Sequence, residues 1–462
     1  MTDSRARRWA TTSARLVVGT GIAAAAVVAV GAGIAAPWPT LSAEPVSVSA
    51  TPAPSAATVV CDGPILALGR TIEDSGAISI AAGQSVVSGP STTAAEPKTV
   101  AGPAGAQPVA LSADPSGGVR AELAASGSAS LADADLAGFA ASSCATPLLE
   151  SWLVGGATTT GSNDLIVVSN PGDVAATVQL TVYGVDGPQL PPGGSNRVVA
   201  AGSQVVIPLA GLLLGEESPV VRVTASGAPV RASLQASLAR ALTPGGVDQV
   251  GALAAAAPRQ VMPGVSVVSE PDGANSATIV RLLAPVGDAQ ATVTIESVDG
   301  SAEPRTSTVP LTAGLPSSLA YDDLEPGRYT VTVDASVPVV AGTFEATGFG
   351  EGDDFAWYTS APEISTASVF AVPDGPDATL TIANAGTDAA TVTLVDTTAG
   401  GSTTLSVAAG ESTAAPVSPG SVYRLEPSAP VHAGVDFSSE SAIASFVVWA
   451  SDAAAPPLTV YP

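Results

Sequence analysis

Three copies of one pair of short motifs constrain this chain more than any other feature of its sequence. Ala176-Thr177-Val178 returns as Ala291-Thr292-Val293 and as Ala390-Thr391-Val392. Each copy is followed by Pro-Val-x-Ala and a small residue: Pro229 to Ser233, Pro338 to Gly342 and Pro430 to Gly434, with Arg231, Val340 and His432 in the variable slot. An Ala-Gly turn lies between the two motifs each time, at Ala201-Gly202, Ala313-Gly314 and Ala409-Gly410. The pitch is 115 residues and then 99, the size of a domain and too long for a solenoid repeat.

The residues around the motifs alternate with a period of two. Ala176–Tyr183 sets Val178, Leu180 and Val182 against Thr177, Gln179 and Thr181, the pattern of a half-buried strand. Similar strands are expected at Leu165–Ser169, Thr278–Leu283, Ala291–Glu296, Ala378–Ala383 and Ala390–Val395, joined by turns such as Asn170-Pro171-Gly172 and Asn384-Ala385-Gly386. Later in each unit a Val- and Tyr-rich strand, a turn and the Pro-Val-x-Ala strand follow. This predicts an all-β chain of tandem immunoglobulin-like or fibronectin-like sandwiches. The expected units are residues 151–265, 266–365 and 366–462, preceded by a less regular β unit at 61–150. Helix signals after residue 36 are few, the best being Leu131–Ala141 and a turn within Val250–Ala257.

A mean hydropathy of +0.39 reflects alanine and valine throughout the chain, because only one stretch is long enough to span a bilayer. Leu16 to Ala36 is a 21-residue uncharged run, about 30 Å of helix. Arg5, Arg7, Arg8 and Arg15 precede it, and no basic residue follows until Arg70. That asymmetry predicts a cytoplasmic tail at 1–15, a transmembrane signal anchor at 16–36 and the remainder outside. A cleaved signal peptide, cut after Ala35, is the rival reading and leaves a secreted protein. Residues 37–60, rich in Pro, Ser, Thr and Ala, read as a stalk. Beyond residue 36 the chain carries 12 basic against 40 acidic groups, a net of −28, which argues against nucleic acid as a partner.

Cys61 and Cys144 are the only cysteines and fall on the exported side, where a structural disulfide is expected. His432 is the only histidine, and a slot that takes Arg, Val and His reads as a strand position on a tolerant face. Catalytic serine elbows and phosphate loops are missing. Asp322-Asp323, Asp353-Asp354 and the pair Asp133 and Asp135 read as solvated loop charge. The sequence therefore points to no catalytic residue, no metal site and no cofactor. Trp152, with Gly155-Gly156 close behind it, is the most individual local motif. A tryptophan near a disulfide is expected to pack on it, and a recognition surface formed by Trp152, Gly155 and Gly156 is the alternative.

The layout resembles an uncharacterised family of envelope proteins from high-GC Gram-positive bacteria, domain of unknown function 5719. The resemblance rests on the arginine-flanked anchor, Cys144-Ala145-Thr146-Pro147, the Ser151–Gly156 run and Gly161. Leu165 through Asn170-Pro171-Gly172 and Gly246-Val247-Asp248 complete it, and it is densest over residues 140–265. It implies an exported, membrane-tethered protein and no assigned activity. The expectation is a non-enzymatic rod of β domains held by residues 16–36, acting as scaffold or accessory in cell-envelope assembly with an envelope protein as partner. The alternative is a module that binds cell-wall glycan or another ligand, and an extracytoplasmic hydrolase is a weak third.

Overall fold

The computed structural model describes residues 3–35, 48–50, 55–69, 76–89, 95–117, 119–240, 243–268, 278–451 and 458–460. They fall into two units, residues 1–52 with 456–462, and residues 53–455. In the first, a helix runs from Asp3 to Ala35, and its segment Ser13–Ile34 is long and apolar enough to cross a membrane. Val48–Ala50, inside the expected stalk, pairs antiparallel with Leu458–Val460.

The second unit is all β. Its first sandwich has one sheet in the order Glu150–Val154, Val220–Ser226, Ala176–Gly184, Gly187–Gln189. The facing sheet runs Ser203–Pro208, Leu165–Asn170, Arg231–Arg240, Thr243–Gly251. Val178, Leu180 and Val182 point inward and meet Ile166, Val168 and Leu234 from the other sheet, as the alternation requires. The third sandwich repeats this order. Ser368–Ala371, Val422–Pro427, Ala390–Asp396 and Ser402–Val407 face Ser412–Pro416, Ala378–Ala383, His432–Ser438 and Ile443–Val447.

The opening turns of these two sandwiches are built alike. Asn170 accepts the Gly172 N–H at 3.0 Å and donates its amide to the carbonyls of Val174 and Val199. Asn384 accepts from Gly386 at 3.0 Å and donates to Asp388 and Val407. An asparagine that closes its own turn and also ties in the neighbouring strand fixes the hairpin register.

The second sandwich departs from the plan. In the first and third, a turn separates the Val- and Tyr-rich strand from the Pro-Val-x-Ala strand, and Gly227 takes φ +88° there. The second has Val337 instead of a turn residue, and Gly327–Ala346 runs unbroken for 20 residues through both sheets. It pairs with Ala257–Val267 and Ala289–Ser297 at one end and with Thr278–Leu283 and Phe355–Thr359 at the other. Ala257–Val267 thus crosses the expected 265/266 division to join this sandwich.

Neither expected helix forms. Leu131–Ala141 lies within a hairpin of Ala124–Ala132 and Ala137–Ser143, turned by the Asp133 N–H donating to the Leu136 carbonyl at 2.9 Å. Alanine favours helix intrinsically, but here Ser85–Gly89 pairs with Ala124–Ala132 and the tertiary context prevails. Val250–Ala257 holds the end of one strand and the start of the next, with Leu253 hydrogen-bonded to Trp152 between them.

The sandwiches do not extend as a rod. The last strands of the first and third, Thr243–Gly251 and Ile443–Val447, both pack on Ala137–Ser143 of the N-terminal β unit, and the last strand of the second, Phe355–Thr359, packs on both of them. Asp354 sits at this meeting point, 1% exposed. One of its carboxylate oxygens accepts the N–H of Phe139 at 2.9 Å and that of Ile443 at 3.4 Å, and the other accepts from Val247 at 3.2 Å. Asp248 nearby accepts the Trp357 N–H at 2.7 Å. Asp354 is therefore not the solvated loop charge its Asp-Asp context suggested, because three segments distant in sequence aim their N–H groups at it.

Candidate functional site

Cys61 and Cys144 form the expected disulfide, which closes 83 residues of sequence. It packs with Val59 and Ala125, while Trp152 lies elsewhere. Trp152 is 3% exposed and sits between the first two sandwiches, against Val154, Tyr183, Leu283 and Val340. Its indole N–H donates to Glu150 at 2.9 Å, and the Arg222 guanidinium stands 5.4 Å over its ring. The expectation that it packs on the disulfide fails, since Glu150–Val154 places it one sheet away, facing the next domain.

The glycines after it sit where side chains would not fit. A Cβ on Gly155 would lie 3.1 Å from the Trp357 ring, and one on Gly156 only 2.3 Å from the Asp164 carboxylate. Gly156 also has φ +71°, a left-handed conformation glycine adopts freely. The structure brings Gly156, but not Trp152, to a cleft of about 340 Å³ between the first and second sandwiches. Leu238, Ile279, Phe344 and Trp357 supply its apolar wall, and Ser218 and Ser318 form a hydroxyl pair at 3.0 Å between the two domains.

Two charged groups are buried beside this cleft. Arg281, 4% exposed, donates to the carbonyls of Gly156 (2.8 Å), Pro219 (3.0 Å) and Glu217 (3.0 Å), with its guanidinium carbon 4.6 Å from the Trp357 ring centre. Burial lowers its pKa to about 9, with Asp164 and Glu216 opposing the shift, so it remains cationic at neutral pH. Asp164 accepts the N–H groups of Ala157 at 2.7 Å and Ser237 at 2.9 Å. Desolvation raises its pKa to about 7 against those two bonds and the Arg281 charge. Both groups are engaged in fastening backbone, an arrangement suited to holding a shaped apolar surface for non-covalent binding.

The variable slot of Pro-Val-x-Ala is no tolerant face. In each sandwich it meets a neighbouring segment. Arg231 pairs with Asp62 at 3.2 Å, both side chains under 5% exposed, and Val340 is fully buried against the Trp152 cluster. His432 places Nδ1 2.8 Å from the Ala361 carbonyl, at the edge of a smaller cavity of about 270 Å³ that Arg259 and Glu363 also line. Burial lowers the His432 pKa, which leaves the ring neutral at pH 7. The slot varies because the neighbour does.

Of the acidic pairs, Asp323 forms an exposed ion pair with Arg305 at 2.9 Å. No group of three His, Cys, Asp or Glu placed to hold a metal occurs among the described residues. Sequence reasoning passed over Arg281 entirely. Its signal was present, an arginine inside the apolar strand Thr278–Leu283 of a chain with only 16 basic residues.

No curated protein matches the chain. Among solved structures, the fibronectin domains FN1–FN3 of chicken CNTN1 align at 12% identity over 68% of this chain and 99% of theirs. The TM-score of 0.13 is too low for that alignment to bear on the fold. A match to a family of unknown function, DUF5719, extends over residues 99–418 and takes in the N-terminal β unit from Thr99, the cleft, Asp354 with its partners Phe139 and Val247, and much of the third sandwich. The chain belongs to the DUF5719 family.

Proposed function

We propose that this chain is a non-enzymatic, membrane-anchored extracytoplasmic protein that serves as a scaffold or accessory in cell-envelope assembly. The observation that carries this reading is the use of charge within the body. Asp354, Asp248, Asp164, Arg281 and the Asp62–Arg231 pair all fasten one segment to another. Such a body presents fixed surfaces to partners. The apolar helix with arginines before it supports the anchor, and the disulfide supports an oxidising compartment.

Two measurements test it. Protease added to intact cells should degrade residues 53–455 while sparing the N-terminal tail; protection of the body would refute the orientation. A pull-down from cross-linked membranes, with a secreted version lacking residues 1–36 as control, should recover a defined envelope protein.

A second reading, a module that binds cell-wall glycan or another ligand, is favoured by the cleft beside Gly156. Retention of cell-wall polymer by the soluble body, abolished by Phe344→Asp, would select it over the scaffold.

A further inference from the structure

Four exposed aliphatic side chains stand on loops at one end of the first two sandwiches: Val185 (76% exposed), Leu190 (63%), Leu214 (78%) and Val286 (90%). Turn tips favour polar and glycine residues, so large aliphatics at several neighbouring tips call for a cause. The loops are contiguous. The Val185 N–H donates to Glu216 at 2.9 Å, two residues from Leu214. Gly187 faces Leu315, and Gly314 faces Pro188 so closely that a Cβ there would sit 3.1 Å from the proline ring. The Gly314 N–H donates to the Ala284 carbonyl at 2.8 Å, and the Ala313 N–H to Asp288 at 2.8 Å, which fixes the turn that carries Val286.

The tips are also held rigidly. Glu216 is 5% exposed, its carboxylate is committed to the Val185 loop, and its own N–H donates to Thr158 at 2.8 Å. A preorganised apolar face loses little conformational entropy when a partner covers it.

The surrounding charge is of one sign. Asp186, Glu217 and Asp288 are exposed in these loops. Residues 184–190, 212–217, 284–288 and 312–316 contain no lysine or arginine. An anionic bilayer surface would be repelled by this rim, and a second copy placed across a two-fold axis would set the same acids against each other.

We propose that this face docks another protein through a segment whose aliphatic side chains cover Val185, Leu190, Leu214 and Val286 and whose flanking lysines or arginines meet Asp186, Glu217 and Asp288. The proposal rests on the scaffold reading and locates where such a scaffold takes hold of its partner.

Photo-crosslinking in living cells tests it, with p-benzoylphenylalanine placed at Pro188 or Val286 in the full-length chain and, as a remote control, at exposed Val119. The captured peptide is then sequenced by mass spectrometry. Adducts from positions 188 and 286 should contain an exported protein's aliphatic segment flanked by Lys or Arg. Their yield should fall about tenfold or more when Val185→Asp and Leu214→Asp are added, and should fall in high salt. Both substitutions are at exposed tips, and an unchanged melting temperature would show that the fold is intact. Adducts only to lipid, only to a second copy of this chain, or to segments without basic flanks would overturn the proposal. Protein adducts from Val119 alone would overturn it while leaving the scaffold reading standing, and adducts from no position would count against both.

Discussion

The carboxylate of Asp354 accepts the backbone N–H of Phe139 at 2.9 Å, across 215 residues of sequence. With its bonds to Val247 and Ile443, one side chain of the second sandwich touches the N-terminal β unit, the first sandwich and the third. Removing it leaves three N–H groups without an acceptor in a buried junction. Each such group costs about 1–3 kcal/mol, so Asp354→Ala should destabilise the protein by about 3 kcal/mol or more. Asp354→Asn, which keeps one acceptor oxygen and turns an NH₂ toward a donor, should also destabilise. Urea denaturation monitored by Trp fluorescence reads both, and a change under about 1 kcal/mol for the alanine variant would refute the role.

Stability should fall as pH rises. Desolvation raises the pKa of Asp164 to about 7, Asp354 to about 7 and Glu345 to about 8, and raises Asp248 as well. The folded state therefore holds protons that the unfolded chain releases near pH 4. Their stabilising contribution is complete below that pH and is lost as pH climbs through 7 to 8. The melting temperature should be higher at pH 5 than at pH 8.5, by about 5 °C or more for a body of this size. A flat profile would mean that the carboxylates are better solvated than their burial implies.

The Asp62–Arg231 pair gives a sharper test of buried charge. Arg231→Met leaves Asp62 buried beside the disulfide without its counter-ion, and burial, which already raises its pKa, then pushes it further towards taking up a proton, at a cost of about 3–5 kcal/mol. Adding Asp62→Leu should recover most of that loss, since two apolar groups replace two paired ions. A double variant no more stable than the single one would show that the backbone contacts of Arg231 to Ala232 and Ser143 matter more than its charge.

The sandwiches should not fold one at a time. Residues 257–365 alone, which keep every strand of the second sandwich, would uncover Val340 and Leu283, which Trp152 and Val154 cover, and would leave the Asp354 carboxylate without its three donors. This fragment should lack near-ultraviolet dichroism, whereas residues 53–455 should melt in one transition. Independent folding of the fragment would show that the junction is dispensable.

Individual strands were legible from alternation and turn chemistry. Thr278–Leu283 and Ala378–Ala383 occur at the expected residues because Pro285–Asp288 and Asn384–Gly386 end them sharply. The disulfide followed from cysteine count and compartment. Apart from the helix candidate at Leu131–Ala141, which forms a local hairpin, the wrong inferences about single residues concern partners far away in sequence. Trp152 was matched with the nearest covalent feature, yet its neighbours Leu283 and Val340 come from the next domain. Asp354 and Arg231 looked like surface charge because nothing local shows that a strand end or a repeat slot faces another domain. Alternation reports which side of a strand is buried and is silent on what covers it.

The disulfide also decides what a cut in the chain can do. Val60 bonds to Ala145 in both directions, and the Cys61–Cys144 bond lies beside that contact. A protease that nicks the chain between residues 62 and 143 therefore releases nothing, because the two pieces remain covalently joined at the point where the sandwiches begin. For the same reason, tension entering at Val60 reaches the first sandwich through sulfur and bypasses the intervening 82 residues. Reduction would reroute that load through the N-terminal β unit, whose small hydrophobic clusters would then become its weakest part.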